Sequence, residues 1–271
     1  MNIVCIGAHP DDPEFFAGGT GLKWRDLGHR VVFVSLTNGD IGHHEMAGGA
    51  LARRRRAEAR RSAALSGIED VVLDHHDGEL EPGLELRREV VRIIRRYEAD
   101  VVLTHRPNDY HPDHRYTSVT VQDAAFMVTV PFFCPDVPAL RKNPVFFYLI
   151  DRFTKPLPFQ PTVAVDITAE MPRKLDLLDA MESQFYEWLP WLDGVLDAVP
   201  ADARERRQWL AGAWEPIWRG FTALSQPALR AWYGPAADSI EYAEGFELCE
   251  YGSQPSRQEL RALFPFLPEH A

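Results

Sequence analysis

Four groups of polar residues follow the predicted strands of this chain, and they contain side chains that bind metals or transfer protons. They are residues 8–14 (AHPDDPE), 37–40 (TNGD), 74–78 (DHHDG) and 105–114 (HRPNDYHPDH). Ligands of open α/β sheets bind at the carboxyl ends of the strands. We therefore expect these four groups to form one site.

A catalytic zinc ion is the chemistry that this site fits best. Such an ion often has two imidazoles and a carboxylate as protein ligands and keeps its fourth position for water. His9, Asp12 and either His111 or His114 can supply these ligands. The alternative is that Asp12 caps the next helix and the histidines are hydrogen-bonded loop residues. Either cluster alone leaves that alternative open, but the two together favour a metal.

The elements that position these groups alternate along the first half of the chain. Short, continuously apolar runs indicate buried parallel strands, and longer helical patterns indicate the crossover helices between them. The dinucleotide fingerprint G-x-G-x-x-G is absent after the first strand, so a cofactor pyrophosphate is not expected. The sequence predicts strands at 3–7, 31–36, 71–73 and 101–104, and helices at 15–27, 46–66 and 84–98.

The pattern is less regular after His114. Residues 188–235 are rich in Trp, Pro and Arg and are interpreted as a divergent cap or insertion. The prediction is an α/β fold, a Rossmann-like three-layer sandwich with a mostly parallel sheet and an irregular C-terminal cap, in one domain over residues 1–271. Its later elements are strands at 145–150, 162–165 and 241–251, helices at 169–187 and 203–213, and a C-terminal surface helix with a tail.

The composition excludes several classes of function. The 271 residues are 45% hydrophobic and 25% charged, as in ordinary globular proteins, and the net charge of −11 disfavours binding to nucleic acid. Three scattered cysteines form no CxxC pair, which argues against a disulfide framework and favours a reducing compartment. The sequence contains no basic leader and no apolar segment that could span a membrane, so a cytoplasmic protein is expected.

Two motifs resemble the paired signature of an enzyme family. Residues 9–14 (HPDDPE), followed by 18–20 (GGT), and later residues 111–114 (HPDH) are similar to those of the LmbE-like, PIG-L superfamily of zinc-dependent N-acetylglucosaminyl deacetylases. That family includes the deacetylases of mycothiol and bacillithiol synthesis. Pro13 is a departure, since in many members the glutamate directly follows the second aspartate. Further support comes from residues 55–59 (RRAEA), 77–78 (DG), 165–168 (VDIT) and 183–184 (SQ).

The resemblance implies a role for each motif residue. His9, Asp12 and His114 become the zinc ligands, and Asp11 becomes the general base, because one of two adjacent aspartates must stay free of the metal to accept a proton from water. His111, as a protonated imidazole, is expected to stabilise the oxyanion and to deliver a proton to the leaving amine. Asp113 is expected to hydrogen-bond an imidazole N–H, although a plain turn residue is equally compatible with the sequence.

Three further residues are candidates for substrate binding. Arg55 lies on the i, i+4 line of apolar residues in its helix, so it is expected to point inward, where the family has an arginine that can bind sugar hydroxyls or an anionic group. Asp40 and Asp77 can accept hydrogen bonds from sugar hydroxyls. Each of these two aspartates can equally be an ordinary turn residue.

The expected function is metal-dependent removal of an N-acetyl group from an N-acetylglucosamine-type small molecule or glycoconjugate, with release of acetate and a free amine. One alternative is zinc-dependent hydrolysis of a different amide, in an antibiotic or a lipidated small molecule. Another is a metal-binding or sugar-binding homologue without turnover. The sequence leaves open whether the metal is Zn²⁺ or Fe²⁺, and whether copies of the chain form a homo-oligomer.

Overall fold

The computed structural model describes residues 1–268, in which seven strands form one sheet with helices on both faces. The strands are β1 Asn2–Gly7, β2 Arg30–Thr37, β3 Glu69–His75, β4 Val101–Thr104, β5 Val145–Leu149, β6 Val163–Asp166 and β7 Ala243–Gly252. The α-helices are α1 Asp12–Asp26, α2 Gly48–Ser66, α3 Leu84–Arg96, α4 Pro112–Met127, α5 Met171–Asp179, α6 Leu189–Leu192, α7 Ala203–Tyr233 and α8 Arg257–Leu263. A π-helix spans Ser183–Trp188.

The order of the strands brings β1 and β4 to the centre of the sheet. It runs β3-β2-β1-β4-β5-β7-β6, with β1 to β5 parallel and β7 antiparallel to both of its neighbours. Because the chain moves outward in one direction after β1 and in the other after β4, the carboxyl ends of these two strands flank a crevice. The predicted fold class, a Rossmann-like sandwich with a mostly parallel sheet, is confirmed.

The core lies on both faces of the sheet. Along β1, Ile3 and Cys5 contact the apolar cluster on one face, and Val4 and Ile6 contact the cluster on the other. Such alternation follows from the two-residue period of a strand. The first cluster includes residues of α1, α2, α5 and α7, and the second includes residues of α3 and α4. The sheet is therefore covered on both sides, which explains why its strands read as continuous apolar runs.

Helix α7 is longer than the sequence analysis predicted. The helix expected at 203–213 continues to Tyr233 and contains Pro216 and Pro227. Both prolines are exposed. Because proline has no N–H, the carbonyls of Gly212 and Ala223, four residues earlier, lack their helical partners. These two residues are also exposed, so their carbonyls can bind water instead. The apolar period was present in the sequence, because Leu210, Trp214, Trp218, Phe221, Ser225, Leu229 and Trp232 are spaced by three or four residues.

The helix predicted at 169–187 is interrupted. α5 ends at Asp179, and the π-helix begins at Ser183 after a short break. The predicted C-terminal helix is present as α8, whereas the end of the predicted tail, residues 269–271, lies outside the described residues. No helix within residues 1–268 is both long enough and apolar enough to cross a membrane.

Candidate active site

The site begins where β1 ends and α1 starts. Gly7 is required at this turn, because a Cβ atom there would lie 2.7 Å from the Cβ of Asp12. The Oδ2 atom of Asp12 accepts hydrogen bonds from the backbone N–H groups of Ala8 (2.9 Å) and His9 (2.7 Å). These bonds fold the loop back on itself and fix the Asp12 carboxylate beneath the edge of the sheet.

His9, Asp12 and His114 converge at this edge. The Nδ1 atom of His9 lies 3.1 Å from Nε2 of His114 and 3.4 Å from Oδ2 of Asp12, and Nε2 of His114 lies 3.4 Å from Oδ1 of Asp12. His9, Asp12 and His114 are 9%, 7% and 5% exposed. The structure therefore brings together, in a buried position, the three residues expected to bind zinc.

Three overlapping sets of side chains in the described part of the chain have ligand atoms within 4.8 Å of one another. They are His9–His111–His114, Asp12–His105–His114 and His9–Asp77–Asp113. All three belong to this site. The third set lies behind His9, since Nε2 of His9 is 3.1 Å from Oδ1 of Asp77 and 3.5 Å from Oδ2 of Asp113. Carboxylates in such positions orient the opposite ring nitrogen toward a metal.

Asp11 faces a different direction from Asp12. It borders a cavity of about 240 Å³, and its Oδ1 accepts a hydrogen bond of 3.0 Å from Nη2 of Arg55. Burial raises the pKa of Asp11 above its ordinary value, and the Arg55 guanidinium opposes this shift. Both aspartates border the cavity, but Asp12 lies among the histidines and Asp11 is hydrogen-bonded to Arg55.

Arg55 is buried as expected, at 2% exposure, and its contacts are with the protein itself. Gly39 has a φ of +67° and lies so close to Arg55 that a Cβ atom would overlap the guanidinium. Nη1 of Arg55 lies 3.9 Å from Oδ2 of Asp77. These contacts favour a supporting position behind Asp11, and binding of sugar by Arg55 stays a prediction.

Asp40 and Asp77 are also engaged within the protein. Oδ2 of Asp40 lies 2.7 Å from Nδ1 of His76, and its Oδ1 accepts a hydrogen bond of 3.1 Å from the backbone of Asp77. Neither aspartate is among the residues that line the 240 Å³ cavity. Their contacts connect the loops after β2 and β3, and their role in sugar binding stays a prediction.

The surroundings of His111 disfavour the cationic form that the sequence analysis expected. Burial, together with the neighbouring His9 and His114, lowers its pKa to about 4, so the ring is neutral at pH 7. Its Nδ1 accepts a hydrogen bond of 3.2 Å from the backbone of Asp113 and caps α4. The proton of the neutral ring is therefore on Nε2, which remains a hydrogen-bond donor.

Asp113 is fully buried and makes two kinds of contact, one with backbone N–H groups and one with the His9 ring. Its carboxylate accepts hydrogen bonds from the backbone of Gly78 (2.6 Å) and Leu80 (3.2 Å), and it lies near the His9 ring as described above. Burial raises its pKa, but the His9 contact and these backbone bonds outweigh burial and hold the pKa below its ordinary value. The expected contact with an imidazole is present, and that imidazole belongs to His9.

Two residues of the group 105–114 contact the candidate ligands although the sequence analysis gave them no individual role. His105, 2% exposed, stacks on His114 with ring centroids 4.0 Å apart, and its Nε2 lies 3.1 Å from Oδ2 of Asp12. Asp109 places Oδ1 3.2 Å from Nδ1 of His114, on the side of the ring opposite Asp12. His105 is the first residue after β4, and Asp109 precedes His111 by two residues, so proximity to the strand end was the available signal.

Comparisons with known proteins identify the family of this chain. The family model of PIG-L, described as GlcNAc-PI de-N-acetylase, matches residues 4–125. A diacetylchitobiose deacetylase of Thermococcus kodakarensis is 34% identical over 206 residues, which cover 70% of this chain and 74% of that enzyme. The chain belongs to the PIG-L family.

Other PIG-L relatives match most of the chain. A probable N-acetyl-α-D-glucosaminyl L-malate deacetylase of Bacillus anthracis is 27% identical over 234 residues, covering 80% of this chain and 94% of that protein. The solved structure of N,N'-diacetylchitobiose deacetylase from Pyrococcus horikoshii, in complex with an inhibitor, has a TM-score of 0.70 at 26% identity and covers 91% of this chain and 83% of its own.

The PIG-L match and the cavity coincide only in part. All nine residues assigned to the site from the sequence lie within residues 4–125, and so do His105 and Asp109. The far wall of the cavity includes Phe185, Trp214, Ile217 and Phe221, which lie beyond the matched segment. The PIG-L signature therefore covers the polar centre, while a separate part of the chain forms the space beside it.

Proposed function

We propose that this protein is a zinc-dependent deacetylase that hydrolyses the N-acetyl group of an N-acetylglucosamine-type compound and releases acetate and a free amine. The observation that supports this most strongly is the different placement of two adjacent carboxylates. Asp12 lies against His9 and His114, whereas Asp11 accepts a hydrogen bond from Arg55, and both carboxylates border the cavity. Hydrolysis needs both a ligand for the metal and a free base, and a site that only binds has no need of the base.

The spacing of the candidate ligands fits zinc. Bonds of about 2.0–2.1 Å in tetrahedral geometry separate ligand atoms by roughly 3.3 Å. Here the His9 and His114 nitrogens are 3.1 Å apart, and each lies 3.4 Å from one oxygen of Asp12, Oδ2 for His9 and Oδ1 for His114. His9, Asp12 and His114 would hold the ion, and Asp77, Asp113 and Asp109 lie beside the outer nitrogens of the two histidines. The donor set of two imidazoles and a carboxylate also accepts Fe²⁺.

Asp11 is the residue that moves protons in this proposal. When bound, zinc supplies a Lewis acid that activates water and polarises the acetyl carbonyl. The Asp11 carboxylate accepts a proton as the water oxygen bonds to the carbonyl carbon. When the C–N bond breaks, protonated Asp11 returns that proton to the departing nitrogen. Arg55 donates a hydrogen bond to Oδ1 of Asp11, so Oδ2 is the oxygen that accepts the proton.

His111 assists through its neutral ring. With Nδ1 accepting from the backbone, Nε2–H is available to donate a hydrogen bond to the oxygen that becomes negative as the water adds. A neutral imidazole stays a donor throughout the reaction. The return of the proton to the amine is therefore assigned to Asp11 instead of His111.

Metal content and amine release together test the proposal. The protein is purified without added metal, supplied with one equivalent of zinc, dialysed and analysed for metal. We expect about one zinc per chain in the wild type, much less in His114→Ala, and no loss in a control variant, His29→Ala, at the start of β2. Amine release from N-acetylglucosamine and diacetylchitobiose should fall about 10²–10⁴-fold in Asp11→Asn.

Two results would overturn the proposal. An absence of zinc in the wild type removes the hydrolytic mechanism altogether. A second result is that the protein binds zinc but releases no amine from any acetylated amino sugar, while Asp11→Asn binds the sugar as the wild type does. This result identifies a binding protein without turnover. Equal turnover by the wild type and Asp11→Asn would leave the metal site intact and exclude Asp11 as the base.

A further inference from the structure

The cavity beside Asp11 has both polar lining residues and an apolar wall. The polar residues are Asp11, Asp12, Asp109, Tyr110, His114, Asp151 and Arg152, and the apolar wall includes Phe15, Phe16, Phe185, Trp214, Ile217 and Phe221. The acetyl group that the proposed reaction removes has a single methyl group, which occupies a small part of a volume of about 240 Å³. The cavity therefore has room for a further apolar part of the substrate.

The apolar wall is built by three separate elements. Phe15 lies one helical turn after Asp11, Phe185 lies on the π-helix, and Trp214 and Phe221 lie on α7. The Phe15 ring contacts each of the others, with centroid distances of 5.4 Å to Trp214 and 6.2 Å to both Phe185 and Phe221. Such mutual packing orders the wall before any ligand binds.

The polar groups at the cavity wall mostly have partners within the protein. Asp109 lies against His114, and Oδ1 of Asp151 accepts a hydrogen bond of 2.9 Å from Arg106. Oδ2 of Asp151 has no hydrogen-bond partner within residues 1–268 although the residue is only 8% exposed. Tyr110 and Arg152 also line the cavity. These three groups can bind hydroxyls of an amino sugar, whereas the aromatic and aliphatic wall offers hydroxyls no partner.

A second cavity continues the apolar surface outward. It has a volume of about 350 Å³, shares Trp214 and Ile217 with the first cavity and is also lined by Pro190, Val195 and Trp209. Val195 is 42% exposed at this end. The two cavities thus adjoin at Trp214 and Ile217, and the second lies on the surface side of these residues.

We propose that the substrate of this site has an alkyl or aryl substituent, which lies against Phe15, Trp214 and Ile217 while its amide lies beside Asp11. This inference rests on the proposed deacetylase function and specifies its substrate class. The substituent belongs either to the group attached to the amino sugar or to the acyl group itself. Both present the same apolar surface to the wall, and a hydroxyl of the amino sugar is placed to bind Asp151.

The test compares turnover of three compounds by the zinc-loaded full chain. They are the methyl glycoside of N-acetylglucosamine, its octyl glycoside, and the methyl glycoside of N-octanoylglucosamine. We expect kcat/KM for the octyl glycoside or for the octanoyl amide to exceed that for the first compound at least tenfold. An advantage for the octyl glycoside places the apolar group on the sugar, and an advantage for the octanoyl amide places it on the acyl side.

Matched variants on α7 locate the effect. Ile217→Glu puts a charge into the cavity and should reduce the tenfold advantage to about twofold or less. Leu224→Glu adds the same charge at an exposed position of the same helix and should leave the advantage unchanged. An equal effect of both variants would indicate a general response to charge and would overturn the assignment of this wall.

Binding of the product amine separates this inference from the proposed function. Octyl glucosaminide is titrated calorimetrically against methyl glucosaminide, which requires no turnover. Tighter binding of the octyl compound, at least tenfold and lost in Ile217→Glu, supports the apolar site even if no compound is hydrolysed. If the methyl glycoside is hydrolysed but the octyl and octanoyl groups give no advantage in kinetics or in binding, the inference is overturned. The proposed deacetylase function is then unaffected.

Discussion

Nη2 of Arg55 donates a 3.0 Å hydrogen bond to Oδ1 of Asp11. The guanidinium is buried and the carboxylate borders the cavity, so the pair connects the second helix with the candidate base. This contact lowers the pKa of Asp11, against the larger effect of burial. Arg55 thereby controls the pH at which Asp11 is ionised.

The pH profile of Arg55→Met should show this control. Without the guanidinium, the pKa of Asp11 rises further, so the acidic limb of kcat/KM moves to higher pH and activity at pH 6 falls more than activity at pH 9. The measurement is amine release from pH 5 to 10, with Arg53→Met, on the exposed face of the same helix, as the control. A uniform loss at every pH would assign Arg55 to substrate binding instead.

Asp109 should strengthen zinc binding through His114. Its carboxylate lies 3.2 Å from Nδ1 of His114, on the far side of the ring from Asp12, and such partners fix the orientation of a ligating imidazole. Asp109→Asn is expected to weaken zinc binding about 10–100-fold. Competition with a chromogenic chelator measures the affinity without any need for turnover.

A control distinguishes this role from general damage. Asp136→Asn removes a carboxylate that pairs with Arg92 on the surface, far along the chain from the site, and should leave zinc binding unchanged. An unchanged affinity in Asp109→Asn would mean that His114 is held by its packing against His105 alone.

Zinc binding should strengthen as the pH rises. Burial lowers the pKa of His114, but Asp12 and Asp109 outweigh it and raise that pKa to about 9, and nearby carboxylates raise the pKa of His9. With a pKa of about 9, His114 holds an extra proton at pH 7, and this proton must leave before zinc binds. Between pH 6 and 8 the affinity should rise about tenfold per pH unit.

Chelator competition at pH 6, 7 and 8 measures this dependence. Calorimetry in two buffers of different ionisation enthalpy counts the released protons directly. An affinity that does not change with pH would show that both imidazoles are already neutral in the metal-free protein.

Glu14 should make the metal-free protein less stable at alkaline pH. The residue is 4% exposed, and burial raises its pKa from 4.5 to about 8 despite a hydrogen bond from Ser62. Between these two pH values the folded chain holds a proton that the unfolded chain has lost, so the free energy of unfolding falls as the pH rises. Glu14→Gln removes this dependence and should gain on the order of 1–3 kcal/mol over the wild type between pH 5 and pH 8.

Urea unfolding at the two pH values tests this prediction. Glu81→Gln, at an exposed position, provides the control and should give the same difference from the wild type at both. If Glu14→Gln behaves like Glu81→Gln, Glu14 is ionised in the folded protein and has a partner that stabilises its charge.

The sequence predicted the first half of the fold well because its strands are buried on both faces. Continuous apolar runs placed β1, β2 and β4 to within one residue at each end. Helix α7 was underestimated because residues 188–235 were interpreted as an irregular cap, although the two prolines within the helix both face solvent. A proline inside a helix clashes with the carbonyl four residues earlier and leaves it unpaired, and exposure reduces this cost because water can bind that carbonyl.

The site was predicted less completely than the fold. The strand-end rule brought His9, Asp12 and His114 together, because it depends only on sheet order. The protonation of His111 depends on burial and on neighbouring rings, and these are properties of the tertiary structure. Likewise, the helical period correctly turned Arg55 inward but did not reveal that it meets Asp11.

The buried ion pair of Lys174 and Glu244 should be essential for stability. Nζ of Lys174 lies 2.7 Å from Oε1 of Glu244 and donates to the carbonyl of Phe15, while Glu244 accepts from the backbone of Gly19. In a regular helix the N–H of Gly19 would bond to that same carbonyl of Phe15. The ion pair therefore links the carbonyl of Phe15 and the N–H of Gly19 in place of their direct hydrogen bond. It also connects Phe15, which lines the cavity, to Lys174 on α5 and Glu244 on β7.

Removing one charge should cost more than removing both. Glu244→Gln leaves the Lys174 ammonium buried without its counter-charge and should lower the free energy of unfolding by about 3–5 kcal/mol. The double variant Glu244→Gln with Lys174→Met should recover part of this loss. The exposed pair of Arg230 and Asp238 is the control, and Asp238→Asn should cost about 0–1 kcal/mol. A double variant that is less stable than Glu244→Gln would show that the lysine's bond to Phe15 contributes more than the charge pair does.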